Sequence, residues 1–248
     1  MLEAVSFGGL ILIIISIMFV GMAKAGIAGA GTLTIPIVAA VLGGKASVGF
    51  LLPILLLSDI VAVVYYRKTV KWDVLLSILP WGFVGIGIGT VVGKLLNDVQ
   101  FNVALATVIL IGAGIMVWRD YISKSSQIPT SKLFAVFMGL FAGFTSMLGN
   151  ASGPVIAIFL LSLHIPKQEF AGTRAWYFFI MNAVKFPLYV FVWKTISLTS
   201  LRDGALLIPA LIVGMLIGFK LVKVIPEKLF RIIILVLIVV SAMGLLFK

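Results

Sequence analysis

The fold is decided by two stretches, Lys24-Ala-Gly-Ile-Ala-Gly-Ala-Gly-Thr-Leu-Thr-Ile-Pro36 and Gly143-Phe-Thr-Ser-Met-Leu-Gly-Asn-Ala-Ser-Gly-Pro154. Each lies inside a long apolar run and closes with the pattern Gly-x4-Pro. Glycine and proline loosen a helix, and unpaired backbone groups are costly in hydrocarbon. Such breaks are therefore tolerated only where protein packs around them or where they line a cavity. Matching breaks in two halves of a chain are typical of the binding site of a transporter.

Composition places nearly the whole chain in a membrane. Of its 248 residues, 62% are hydrophobic and 11% are charged, whereas a soluble domain carries about 25% charged residues. Basic loop residues on the cytoplasmic side explain the net charge of +11 without nucleic acid as a partner. The chain has no cysteine and one histidine, so we expect no disulfide, no metal site and no cofactor.

The length of the apolar run 133–163 predicts a hairpin. Its 31 residues exceed one span but fall short of two spans of about 20 residues each. Two half-length helices of about 15 residues, with a tip at Leu148 to Pro154, resolve this mismatch. The first pair of segments, around Lys24, could be a hairpin or two near-spans. The other predicted segments are 4–23, 25–44, 46–66, 74–93, 99–118, 170–193, 204–219 and 232–247.

The distribution of basic residues predicts the topology. If each broken pair counts as two segments, the chain has ten, and the basic residues divide 13 to 5 between the two sides, with Lys185 inside a span. If each pair is one kinked span, the division is 8 to 9. Asymmetry is the rule for membrane proteins, which favours ten segments and places both termini outside the cell.

The two halves also repeat in sequence. Gly85 and Gly89 match Gly214 and Gly218 at an offset of 129 residues, and the Gly-x4-Pro patterns match as well. Five segments in each half would invert the second copy relative to the first. We therefore predict an all-α integral membrane protein of two inverted repeats, each with a broken or re-entrant hairpin. The repeats would comprise residues 1–122 and 132–248, joined by the polar linker 123–131, with alternating access at their interface.

Polar groups within the apolar segments are the candidate binding residues, because an intramembrane ionisable group is functional by default. Arg174, Asn182 and Lys185 lie roughly on one face of a predicted helix, and charge-assisted donors suit an oxyanion. Snorkelling to the headgroups is the alternative for the two cations. Glycine at the breaks lets backbone amides approach an anion, or else serves helix packing. The predicted substrate-binding set is Lys24, Gly29, Gly31, Thr32, Asn150, Ser152, Gly153, Arg174, Asn182 and Lys185.

Two further predictions concern residues outside that set. Asp59 is the only acid deep in a segment, so it is the candidate carrier of a coupling proton. Alternatively, it pairs with a cation or holds two helices together. The glycines at 85, 89, 214 and 218 have no polar neighbours, and we predict that they serve helix packing.

These features together resemble the TauE/SafE family of sulfite-exporter-like carriers, also called the toluene sulfonate uptake permease family. The resemblance covers essentially the whole chain: its size, its duplicated halves, the segment Gly26-Ile-Ala-Gly-Ala-Gly-Thr-Leu-Thr-Ile-Pro36 and its counterpart at Gly149 to Pro154. It implies export or uptake of small sulfur-containing anions, such as sulfite or organosulfonates, across the cell membrane.

The leading hypothesis is a secondary transporter, and specifically an exporter, of such an anion. The alternatives are an anion-conducting channel and a carrier of a small anion without sulfur. An intramembrane enzyme fits poorly, because the chain has one deep acid, one histidine and no His-Glu-x-x-His pattern, so no catalytic residue is predicted. The expected partners are the anion and the lipid bilayer, and the sequence leaves the oligomeric state open.

Overall fold

The computed structural model describes residues 5–27, 34–42, 44–92 and 132–226, together with Leu2, Gly31, 228–230, 232, 233 and 236. The predicted segments 99–118 and 232–247, the linker 123–131 and the chain termini lie wholly or mostly outside these residues. Within them, nine α-helices make up the regular structure. They are α1 (Phe7–Lys24), α2 (Thr34–Leu42), α3 (Gly44–Tyr66), α4 (Trp72–Val92), α5 (Lys132–Gly149), α6 (Gly153–Ser162), α7 (Lys167–Pro187), α8 (Leu198–Leu206) and α9 (Ile208–Val224).

Five of these helices are long and apolar enough to cross a membrane, and a sixth span results if α8 and α9, bent by 52°, are counted together. The described part of the chain is therefore an all-α, multi-pass membrane protein, as predicted. α7 does not stop at Pro187 but continues as a π-helical turn over Leu188–Val192.

The break in the apolar run 133–163 lies where it was predicted, between α5 and α6, at residues 150–152. The prediction of two equal half-length helices is wrong. α5 has 18 residues and α6 has 10, which corresponds to about 27 Å and about 15 Å of helix. The first pair is divided in the same way, since α1 has 18 residues and α2 has 9. Each break therefore joins a span-length helix to a half-length helix.

Glycines determine how the long helices pack. α1 packs along α9, and α4 packs along α5. A Cβ atom added at Gly214 of α9 would overlap the carbonyl oxygen of Met18, and one added at Gly85 of α4 would overlap that of Leu140. Backbones this close allow only glycine. The predicted packing role of these glycines is confirmed, including that of Gly218, which meets Met22 of α1.

The helices α3 and α7 pack against each other in the middle of the described structure. One apolar cluster joins α1, α3 and α9 around Ile17, Phe50 and Leu211. A second cluster joins the four helices α4, α5, α6 and α7 around Ile78 and Phe159. The buried apolar residues of α5 and α6 belong to the second cluster, whereas the first broken pair contributes to both, since Ala23 and Ile27 at its break join the second cluster.

Candidate functional site

The first break is closed by backbone turns and by two side chains from other helices. Gly26 has a φ of 126°, which glycine adopts at low cost, and its N–H donates to the carbonyl of Ala23 at 3.2 Å. The Tyr66 hydroxyl donates to the carbonyl of Ala25 at 2.6 Å, and the Arg174 guanidinium donates to that of Ala23. Helix-end carbonyls that would be costly to leave unpaired at membrane depth are thereby satisfied.

The second break is closed in a corresponding way. Asn150 has a φ of 56°, a left-handed conformation that asparagine tolerates better than most residues. The Tyr189 hydroxyl donates to the carbonyl of Met147 at 2.5 Å. The Lys185 ammonium donates to the carbonyl of Ser146 at 3.0 Å and to Oδ1 of Asn150 at 2.7 Å. Lys185 is therefore held at the tip between α5 and α6, with its side chain fully buried.

A buried ion pair connects the first break to α3 and α7. The ammonium of Lys24 lies 2.6 Å from Oδ1 of Asp59, and Nδ2 of Asn182 donates to the other carboxylate oxygen at 2.6 Å. The ring of Phe178 lies beneath two cations, 4.2 Å from the Lys24 nitrogen and 4.9 Å from the Arg174 guanidinium. Asp59 thus pairs with a cation and bridges two helices, which is the structural alternative to a role in proton coupling.

Several of these groups line a partly open cavity of about 50 Å³. Asp59 does not line this cavity but stands behind Lys24 and Asn182. Of the ten predicted substrate-binding residues, Gly29 and Thr32 lie outside the described residues. The other eight line the cavity: Lys24, Gly31, Asn150, Ser152, Gly153, Arg174, Asn182 and Lys185.

The cavity wall is cationic. Lys24, Arg174 and Lys185 contribute to it, and among the described lining residues there is no carboxylate. Arginine remains protonated in proteins, and buried cations that lack counter-charges are expensive. The cavity is therefore a chemically suitable place for an anion.

The same wall carries polar atoms that find no hydrogen-bond partner among the described residues. They are Oγ of Ser146, Nδ2 of Asn150, Oγ of Ser152 and Nε of Arg174. Buried polar groups are nearly always hydrogen-bonded in folded proteins. Hydroxyl, amide and guanidinium groups all donate, so together they match a ligand with several acceptor oxygens.

Sequence reasoning missed part of the lining, including Val20, Leu51, Leu55, Ser146 and Phe178. A signal for three of them was present. Phe178 lies four residues from both Arg174 and Asn182, Ser146 lies four residues before Asn150, and Val20 lies four before Lys24. Residues at this spacing share a helix face. Thr34 also lines the cavity and donates to the carbonyl of Ser16 at 2.9 Å.

A helical membrane protein with a buried cationic cavity at two broken helices has the organisation of a membrane transporter. A family model described as Sulfite exporter TauE/SafE matches residues 13–245, nearly the whole chain, and the chain belongs to this family. The resemblance seen in the sequence is confirmed. The protein is thus a multi-pass transport protein, which is consistent with the prediction that it is not an enzyme. No curated protein and no solved structure matches the chain significantly.

Proposed function

We propose that this protein exports a small sulfur-containing anion, such as sulfite or an organosulfonate, across the cell membrane as a secondary transporter. The observation that carries the proposal is the cavity wall with three cations and no carboxylate among its described residues. The choice of a sulfur-containing anion rests on the family description.

The proposed binding mode follows from the donors around the cavity. Lys185 presents an ammonium with three N–H donors, for which the described residues supply the carbonyl of Ser146 and Oδ1 of Asn150 as acceptors. The remaining donors to the anion would be Asn150, Ser152 and Arg174. Gly153 starts α6, whose N-terminal end favours negative charge. Gly31 lines the cavity from the first break, and binding by Gly29 and Thr32 stays a prediction from the sequence.

The proposed mechanism is alternating access between two inverted repeats, residues 1–122 and 132–248. Reciprocal contacts support it. A Cβ atom at Gly49 of α3 would overlap the backbone of Thr195, which follows α7, and one at Gly172 of α7 would overlap Thr69, which follows α3. Likewise, α1 of the first half packs along α9 of the second half, and α4 of the first half packs along α5 of the second. Such reciprocity is expected when a pseudo-two-fold axis relates two halves.

Asp59 is the proposed site of proton coupling. Its carboxylate holds Lys24 and Asn182 at 2.6 Å each, and both of these residues line the cavity. Protonation of Asp59 would weaken its hold on Lys24 and leave that cation to the anion, while Arg174 and Lys185 remain on the same wall. Binding of the anion and of the proton would then reinforce each other.

Counterflow in proteoliposomes tests the function. Vesicles loaded with unlabelled sulfite should accumulate radiolabelled sulfite transiently, because a carrier exchanges its substrate. Lys185→Met should abolish this exchange, whereas Lys68→Met, in the exposed loop after α3, should leave it intact. Electrical conduction without saturable exchange would instead identify a channel. Exchange of chloride or a carboxylate in preference to sulfite would identify a carrier of another anion.

A further inference from the structure

The number of charges on the cavity wall indicates more than a general preference for anions. Three buried cations stand on its wall, and one of them, Lys24, is matched by Asp59 at 2.6 Å. Arg174 and Lys185 have no carboxylate partner among the described residues; their hydrogen bonds go to backbone carbonyls and to an amide oxygen. With Asp59 ionised and all three basic side chains protonated, the excess on the wall is therefore two positive charges.

We infer that the cavity is matched to a compact oxyanion carrying two negative charges, and that Arg174 and Lys185 discriminate it from singly charged anions of the same shape. This inference rests on the proposed anion transport and narrows its substrate class. A dianion neutralises both excess charges, whereas a monoanion leaves one cation buried without a counter-charge. Uncompensated buried charge is costly, and attraction grows with ligand charge in a medium of low dielectric constant.

The two cations reach the cavity from positions eleven residues apart on α7. Lys185 reaches the tip at Asn150. Arg174 donates through Nη1 to the carbonyl of Ala23, and its Nη2 lies 3.9 Å from the position of a Cβ atom added at Gly153. A ligand in the cavity therefore meets two positive charges, and negative charge spread over several oxygens can pair with both.

The size and donor content of the cavity limit the ligand further. A water molecule needs about 10–15 Å³ of such space, so 50 Å³ accommodates a ligand of only a few heavy atoms. The unpartnered groups at Ser146, Asn150, Ser152 and Arg174 call for acceptors. An ammonium-bearing sulfonate would bring a fourth cation against three.

Isoelectronic anion pairs provide the test, since they separate charge from shape. Sulfite and chlorate are both pyramidal XO₃ ions, and sulfate and perchlorate are both tetrahedral XO₄ ions, but only the sulfur member of each pair is doubly charged at alkaline pH. Dissociation constants would be measured for the purified protein in nanodiscs at fixed ionic strength. We expect the dianion of a pair to bind at least about tenfold more tightly than its monoanion.

Two variants test the roles of the cations. Lys185→Gln and Arg174→Gln remove the charge, while the amide can still donate to the carbonyl of Ser146 or of Ala23 and so preserve the helix ends. Either variant should reduce the dianion preference about tenfold, and Lys68→Gln should leave it unchanged. Unfolding temperatures measured without anion would show whether each variant is folded. If one of the two variants does not fold, the other one still tests the dianion preference.

The outcomes separate this inference from the proposed function. Equal binding of both members of each pair, or a preference unchanged in both charge-removing variants, would overturn the charge matching while leaving anion transport in place. Binding of none of the four anions would overturn both. A dianion preference that falls in the two variants supports both.

Discussion

The helices α3 and α7 lie at the centre of the described structure as counterparts, yet they carry different chemistry. Residues 123 positions apart make equivalent contacts: Gly49 and Gly172 meet the loops that follow the opposite helix. Tyr66 and Tyr189 each donate a hydroxyl to the end of the preceding span-length helix. The groups that hold the helices together are thus present in both.

At the same separation of 123 residues, four cavity-lining residues of α7 have different residues as their counterparts on α3. They pair as Leu51 with Arg174, Leu55 with Phe178, Asp59 with Asn182, and Ala62 with Lys185. Two cations stand on α7 where α3 has a leucine and an alanine. The contacts that α3 and α7 share therefore do not depend on these two charges, which serve the helix breaks and the cavity on the α7 side. Asn182 donates a hydrogen bond directly to Asp59, which is the contact that the proposed inverted repeats would place beside their axis.

The largest expected effect concerns the packing that both halves share. Gly85→Leu in α4 should prevent folding, because the added Cβ atom alone overlaps the carbonyl oxygen of Leu140 in α5. Gly87→Leu is the matched control, since a Cβ atom there meets nothing within 4 Å. Size-exclusion profiles and unfolding temperatures of the solubilised proteins would measure the difference. Equal recovery of folded protein from both variants would show that the close α4–α5 approach is incorrect.

The next effect tests whether Asp59 of α3 and Asn182 of α7 can exchange their side chains. Asp59→Asn leaves Lys24 buried without its carboxylate, and loss of one partner of a buried ion pair costs about 3–5 kcal/mol. The exchange Asp59→Asn with Asn182→Asp returns a carboxylate to the same hydrogen-bonded pair, so it should recover most of that stability. Unfolding temperature in detergent is the measurement.

Two comparisons make this exchange interpretable. Asp73→Asn, at the exposed start of α4, controls for the loss of a carboxylate far from the site and should change stability little. A double variant no more stable than Asp59→Asn would mean that positions 59 and 182 are not equivalent with respect to Lys24.

A smaller effect is expected at the position where α7 carries an aromatic residue, Phe178, and α3 carries a leucine. Phe178→Leu gives α7 the residue that α3 carries at position 55, so the helix should still pack. The cations of Lys24 and Arg174 would lose their aromatic neighbour, and such contacts contribute about 0.5–2 kcal/mol. We expect anion binding to weaken about two- to thirtyfold, measured by titration with sulfite. Phe83→Leu, on an exposed face of α4, is the control, and equal affinities in the two variants would contradict the role of Phe178.

Local sequence signals were sufficient for the breaks and for most of the site. Glycine, proline and small polar residues weaken a helix wherever they cluster in an apolar run, so the position of the second break was correct. Charges inside apolar segments are costly, and those at Lys24, Arg174 and Lys185 all proved to line one cavity. These inferences depend on chemistry that acts within a few residues.

The sequence did not reveal what depends on contacts between distant segments. The unequal lengths of α5 and α6 follow from which groups close the break, and Tyr189 and Lys185 come from a later helix. Likewise, the pairing of Lys24 with Asp59 and the placement of Arg174 on the end of α1 require the packed structure. The leucines of the cavity wall resemble any other apolar residues of a membrane helix.

The smallest expected effects test whether the two breaks are closed equally. Tyr66→Phe and Tyr189→Phe each remove one hydroxyl that donates to a helix-end carbonyl, at 2.6 Å and 2.5 Å. A hydrogen bond of this kind contributes about 1 kcal/mol, which corresponds to a fall of about 2–4 °C in unfolding temperature. The two falls should be similar, and they should add in the double variant if the breaks do not share partners. Tyr65→Phe keeps a ring stacked on Phe219 and should cause almost no change. If only one of the two buried tyrosines proved to matter, the breaks would be equivalent in backbone shape but not in stability, and the half with the weaker closure would be the one expected to move during transport.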